Sequence, residues 1–148
     1  VKKPSFSLER KLWKKGIKYV IGIDEVGRGA FAGPIVAGAV VFPVIKKITK
    51  KLKFLKEIND SKLLKSDVRI RLSKLIKKHA LYFAIDEINI EIINGKGIGI
   101  ANQMVIRKVA KKASSQIKDG RYFVLCDGLP VPRLKNHSSV INGDRKSI

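Results

Sequence analysis

The hydrophobic pattern along the chain alternates between two periods, and each change of period marks an element. From Ser7 to Lys15, Leu8 and Leu12 fall one helical turn apart with Trp13 beside them. This predicts a short amphipathic helix, capped at Ser5 or Ser7 and ended by Gly16. Tyr19 to Ile23 is a β-branched apolar run, expected as a strand buried on both faces. Gly27 to Pro34 reads as a turn and Ile35 to Phe42 as a second strand. So short a connection predicts antiparallel pairing. Lys46 to Lys56 spaces Ile48, Leu52 and Leu55 among lysines and is expected as a solvated loop or weak helix. After the polar break Asn59-Asp60-Ser61-Lys62, Ser66-Asp67 opens a helix through His79, with Val68, Leu72, Leu75 and Ile76 on one face.

Leu81 to Ile88 returns to strand. The glycine-rich stretch from Gly95 to Gly99 leads into a helix from Ile100 to Ser114, with Met104, Val105 and Val109 inward and Arg107, Lys108, Lys111 and Lys112 outward. Arg121 to Cys126 is a strand ending at Asp127-Gly128, and a loop with Pro130 and Pro132 leads to a short strand from Ser139 to Ile141. This order of strands and helices predicts a mixed α/β sheet with a right-handed crossover, in one domain without repeats.

Charge changes the picture most. Lys and Arg number 32 against 12 Asp and Glu, a formal charge of +20, whose natural partner is a polyanion. The excess is mostly Lys, which suits point contacts to phosphates. A basic proteome gives the same bias to proteins of any function, so a basic ribosome-associated protein stays open on charge alone. The single Cys126 excludes an internal disulfide and a cysteine-based zinc site. The longest apolar stretch, Gly29 to Ile45, carries Pro34 and Pro43 and is short of the roughly 20 residues of a spanning helix. Lys2 and Lys3 are followed by mixed polar residues rather than a signal core. A cytoplasmic protein with no membrane partner is expected.

The acids share one pattern. Asp24-Glu25, Asp127 and Asp144 each follow a predicted strand, at the edge of α/β sheets where ligands bind. If those strands are parallel neighbours, four carboxylates converge, and their repulsion is relieved by hard cations such as Mg²⁺ or Mn²⁺. Two such ions form a clamp for phosphodiester cleavage. Each acid taken alone reads first as a turn residue, and only the three together favour the site. Gly27-Arg28-Gly29 is either a hairpin turn with a solvated arginine or a close backbone approach to sugar or phosphate. His79 and His137 read as surface residues. The run Gly95 to Gly99 lacks a P-loop ending.

The stretch Tyr19 to Gly29, with its Asp24-Glu25-Val26-Gly27-Arg28-Gly29 core and the following Ala32-Gly33-Pro34, resembles the first motif of ribonuclease HII. Asp60-Ser61-Lys62-Leu63 is similar to the second motif, Cys126-Asp127-Gly128 to the third, and Gly143-Asp144 with Lys146-Ser147 to the fourth. Lys96 to Gln103 resembles a helix entry of bacterial members, and the spacing of Asp127 and Asp144 is close to the bacterial form. The intact Gly-Arg-Gly differs from the turn of ribonuclease HIII.

The resemblance implies a ribonuclease H-like α/β fold, with a central mixed five-stranded sheet flanked by helices in a single catalytic domain over 1–148. It implies an endonuclease that hydrolyses the RNA strand of RNA–DNA hybrids and cuts 5′ of ribonucleotides embedded in duplex DNA, leaving 3′-hydroxyl and 5′-phosphate ends. The implied catalytic acids are Asp24, Glu25, Asp127 and Asp144, with Asp24, Glu25 and Asp127 holding two Mg²⁺ or Mn²⁺ ions. Gly27, Arg28 and Gly29 would sense the ribose 2′-hydroxyl, and Lys62, Asn102 and Lys146 would meet nucleic acid. A monomer is expected. Family members continue past the fourth motif with an Ala- and Ser-rich helix and a sugar-stacking Tyr that have no counterpart here. A hybrid-binding chain with little turnover is the alternative expectation.

Overall fold

The five-strand ladder combines a short β1–β2 hairpin with longer excursions through helices. In a computed structural model, which describes residues 4–29, 32–118, 120–128, 130–140 and 146–147, the elements run α1 (Ser7–Lys14), β1 (Tyr19–Val26), β2 (Ile35–Val41), α2 (Ser66–His79), β3 (Tyr82–Ile88), α3 (Ile90–Lys96), α4 (Ile98–Ser114), β4 (Tyr122–Asp127) and β5 (His137–Val140). The strand order is β3-β2-β1-β4-β5. β2 is antiparallel to β1 and to β3, whereas β4 is parallel to both β1 and β5. The expected mixed five-stranded α/β sheet is therefore what forms. The parallel pairing needs a long connection, and α4 supplies it by carrying the chain from edge strand β3 back to β4.

The two-residue period of the strands divides the core. On one face Tyr19, Ile21, Ile23, Ile35, Ala37, Ala39, Val41, Val124 and Cys126 pack under α4, which presents Ala101, Val105, Ile106, Val109, Ala110 and Ala113. Val105 and Val109 are inward as expected, and Met104 packs at the margin. On the other face Val40 and Phe42 meet Phe6 and Trp13 of α1, Leu72 of α2, and Phe54 and Leu55. Among the described residues no helix is long and apolar enough to cross a membrane.

Several sequence expectations shift. Phe6 occupies the cap position of α1, and neither Ser5 nor Ser7 caps it; no side chain does. Packing fixes that helix instead, since the Phe6 ring lies 5.8 Å from both Trp13 and Phe42. β1 continues past Ile23 because Asp24, Glu25 and Val26 still pair with Gly38, Ala37 and Val36. The lysine-rich segment expected in solvent forms a 3-10 helix, Lys50–Glu57, whose adjacent Phe54 and Leu55 are buried in the second core. α3 was not expected; Asn89 caps it by accepting from the Ile92 amide at 3.2 Å. α4 begins at Ile98 rather than Ile100, and β5 begins at His137, with Ile141 outside the described residues.

Neither histidine is a simple surface residue. His79 Nδ1 lies 2.9 Å from the Leu75 carbonyl and its ring 5.1 Å from that of Phe54. His137 Nε2 accepts from the Val131 amide at 3.3 Å.

The outer edge of β3 is closed by α4. Gln116 Nε2, just beyond the helix, donates to the Phe83 carbonyl at 3.3 Å. Lys112 Nζ donates to Ile85 O at 2.9 Å and Lys108 Nζ to Glu87 O at 3.3 Å. Four helical residues advance about 6 Å and two strand residues about 6.6 Å, so the two ladders stay in step. Asp86 couples them, lying 2.7 Å from Lys108 and 3.7 Å from Lys112 and accepting from the Glu87 amide at 2.9 Å. The hydrogen bond from Lys108 holds the Asp86 carboxyl below the usual aspartate value. Its contribution is complete above the ordinary aspartate pKa and is lost only as pH falls through the lowered one.

Two predictions follow from this geometry. Replacing Lys108, Lys112 and Gln116 together by Ala bares the β3 edge, so the variant is expected to gain mass with concentration in sedimentation velocity where the parent chain does not. In the β1–β2 turn, Gly27 has φ 105°, and a Cβ there would stand 2.7 Å from the Pro34 carbonyl oxygen. Gly27→Ala is expected to cost about 1–3 kcal/mol, read as a melting temperature lowered by several degrees.

Candidate active site

Two carboxylates are brought together by strand register. β1 and β4 run parallel with Ile23 opposite Cys126, so Asp24 and Asp127 come next on neighbouring strands. Both line the same open cleft as Gly22 and Leu125, two residues before each, which places them on one face of the sheet. The cleft holds about 1040 Å³. Its floor is kept low by Gly22 and Gly38, and Gly38 pairs directly with Asp24. No side chain from β2 therefore stands beside that carboxylate. One wall is Ile58 to Lys62 with Ile76, the rim is Gly27 to Gly29, and Val140 and Ser147 close the far side.

Each aspartate is aimed by its own backbone. Asp24 Oδ1 accepts from the Glu25 amide and Asp127 Oδ1 from the Gly128 amide, both at 2.8 Å. Glu25 alternates to the other side of β1, where its Oε1 lies 3.3 Å from Arg28 Nη1. Its side chain is 11% exposed and that of Arg28 55%. Burial, and then the nearby Glu25 charge, push the Cys126 thiol up to about 12. With no metal bound, that sulfur stays protonated at neutral pH and is no nucleophile.

Asp144, with Gly143, lies outside the described residues. Among the described residues no group of three or more His, Cys, Asp or Glu stands close enough to hold a metal ion. The paired oxygens of Asp24 and Asp127 fit the chemistry of a hard divalent cation, while Glu25 is engaged with Arg28.

The nucleic-acid residues expected from sequence divide. Gly27, Arg28, Gly29 and Lys62 all border the cleft. Lys62 sits on a 3-10 turn, Ser61–Leu63, whose cap is Asp60, accepting from the Lys62 amide at 3.0 Å. Arg69, which sequence reading passed over, braces the same turn through Nη1 to Ser61 O at 3.1 Å and Leu64 O at 2.8 Å. Asn59 joins the wall and fixes the Asp60 amide at 2.9 Å. Asn102 is not brought to the cleft; it is half-buried on α4 with its Oδ1 unpaired. Lys146 is exposed beside Ser147. Gly38 could have been found in the sequence as the glycine inside an apolar strand, a sign of space left on one face.

Known proteins resemble this chain in sequence and in fold. The sequence model of ribonuclease HII matches residues 21–141. The ribonuclease HII of Caldanaerobacter subterraneus subsp. tengcongensis is 36% identical over 141 residues, covering 95% of this chain and 54% of its own length. That of Chloroherpeton thalassium is 38% identical over 146 residues, covering 95% and 66%. The chain thus spans about half to two thirds of the length of these relatives. Among solved structures, the Archaeoglobus fulgidus ribonuclease HII in its complex with PCNA superposes with a TM-score of 0.64 at 18% identity, covering 86% of this chain and 64% of that one. Bst-RNase HIII in complex with Mn²⁺ superposes at 0.62 and 20% identity, covering 87% and 44%. With a family match that takes in β1, the Gly-Arg-Gly turn and the strand carrying Asp127, this chain belongs to the ribonuclease HII family.

Proposed function

We propose that this chain carries the catalytic region of an endonuclease that hydrolyses the RNA strand of RNA–DNA hybrids and cuts 5′ of ribonucleotides embedded in duplex DNA. The observation that supports it most is the adjacency of Asp24 and Asp127 in a cleft rimmed by Gly27, Arg28 and Gly29, in a chain of this family. Asp24 and Asp127 are assigned as ligands of two divalent ions, Mg²⁺ or Mn²⁺, with Asp144 among the four catalytic acids; Glu25 joins the ligands only by exchanging its contact with Arg28 for the metal. Bound there, the ions supply a water of lowered pKa and neutralise charge at the leaving oxygen.

The protein's own groups do the rest. The next backbone amide holds each aspartate in place, so less rotamer freedom is lost at each turnover. The turn at Gly27 brings backbone close to a sugar, where a 2′-hydroxyl distinguishes RNA from DNA. Arg28 offers donors beside that position, and Lys62, on its braced turn, meets a phosphate as a point charge. Hydrolysis breaks the bond between phosphorus and the 3′ oxygen of the upstream nucleotide. The products are a 3′-hydroxyl and a 5′-phosphate.

A duplex with one ribonucleotide tests the reading. Cleavage at its 5′ side is expected with Mg²⁺ or Mn²⁺ and none with excess chelator, resolved on a denaturing gel. Asp127→Asn is expected to slow single-turnover cleavage by roughly 10²-fold or more while binding is kept or improved. Salt-sensitive binding without any cleavage would leave a hybrid-binding chain instead, and unchanged activity in Asp127→Asn would remove the nuclease reading altogether.

A further inference from the structure

The 3-10 helix Lys50–Glu57 carries a charged row that neither the core nor the cleft accounts for. It has eight residues, where runs beyond three or four are uncommon. A 3-10 helix repeats every three residues, so positions i and i+3 eclipse and the helix has three faces. Two of them turn inward, one through Phe54 and the other through Leu52 and Leu55, into the second core. The third carries Lys50, Lys53 and Lys56, all exposed. At a rise of about 2 Å per residue, these lysines step about 6 Å apart in single file.

Helix stability does not explain the row. Like charges at this spacing repel, and Lys50 adds a cation to a first turn that holds no acid, against the helix dipole. The one acid of the helix, Glu57, accepts from Arg71 of α2 at 2.5 Å rather than from a lysine of the row.

The row leads to the cleft. Lys56 stands two residues before Ile58, where the cleft wall begins, and that wall runs on through Lys62. The step of about 6 Å is close to the roughly 6.8 Å that two phosphate intervals of one strand span along a duplex axis. The flexible lysine stem lets each ammonium reach a phosphate as a point charge. A membrane surface fits less well, because the apolar residues of this helix point into the core rather than flank the row.

We propose that Lys50, Lys53 and Lys56 form a phosphate track outside the cleft, which takes the backbone of one strand of a nucleic-acid duplex where it leaves the site. This rests on the nucleic-acid part of the reading above and not on cleavage. The row spans about 12 Å, so it adds about three to four base pairs to the footprint of the cleft.

The test measures binding over a range of salt, with excess chelator so that no cleavage intervenes. The probes are single-ribonucleotide duplexes with both flanks long and with the flank on either side removed. Lys50→Gln/Lys53→Gln/Lys56→Gln is compared with Lys111→Gln/Lys118→Gln, which changes exposed lysines in α4 and just beyond it. α4 covers the face of the sheet opposite the cleft. The row variant is expected to bind the long duplex about tenfold more weakly, with the salt slope lowered by about 0.9 for each lysine removed. The parent chain is expected to lose a similar affinity when one of the two flanks is removed, and the row variant to be indifferent to that removal. Replacing the same three lysines by Arg is expected to keep the parent's binding. The melting temperature of the row variant is expected not to fall, since the row is exposed and self-repelling. An unchanged salt slope in the row variant overturns the track. So does an equal loss per charge in the Lys111/Lys118 variant, which would mean diffuse attraction by the whole surface. A loss confined to anionic lipid vesicles, with duplex binding intact, replaces the track with a membrane contact. A parent chain that binds no duplex overturns the track as well, whereas one that binds but never cuts when Mg²⁺ or Mn²⁺ is added counts against the nuclease reading alone.

Discussion

Everything at the site depends on the parallel pairing of β1 with β4. A one-residue slip in that register would move Asp127 to the opposite face, under α4, and separate it from Asp24. The pairing is held by burial on both sides: Ile21, Val124 and Cys126 are sealed under α4. The long crossover through α4 is thus both the roof of the core and the device that makes two distant acids neighbours. The same helix also closes the β3 edge with Lys108, Lys112 and Gln116, so one element secures the register and the boundary of the sheet.

Charge is distributed against the general trend. The chain has a net +20, yet the cleft gathers Asp24, Glu25, Asp60 and Asp127 between Arg28 and Lys62. Asp60 spends its carboxylate on the Lys62 amide, and Glu25 meets Arg28. Asp24 and Asp127 come next to each other on neighbouring strands, over the low floor made by Gly22 and Gly38. A basic surface attracts a polyanion, while the acidic floor of the cleft runs against that overall charge.

Much of this was legible in the residues. The alternation and length of the apolar runs located all five strands, because burial imposes a period that survives in sequence. The first motif identified the family from Asp24 to Pro34. Local pattern failed where packing decided. Phe54 and Leu55 are buried inside a lysine-rich segment because α1 and α2 leave room for them, and α1 is held by the Phe6 ring rather than by a serine cap. Asn102 looked like a contact from its motif, but α4 packs on the face of the sheet opposite the cleft floor.

By itself the sequence determined the strands and the longer helices, the basic character, the acids and the family, since these rest on residue type and on spacing over a few neighbours. Only the tertiary structure decided which residues share the site. Asp24 and Asp127 are separated by β2, α2, β3, α3 and α4, Arg69 braces a loop eight residues back, and Glu9 meets Ser147 138 residues away. Such contacts depend on strand order, register and which face a side chain takes. Those are properties of the packed sheet, where burial of Ile21 and Val124 fixes the alignment and carries the polar residues with it.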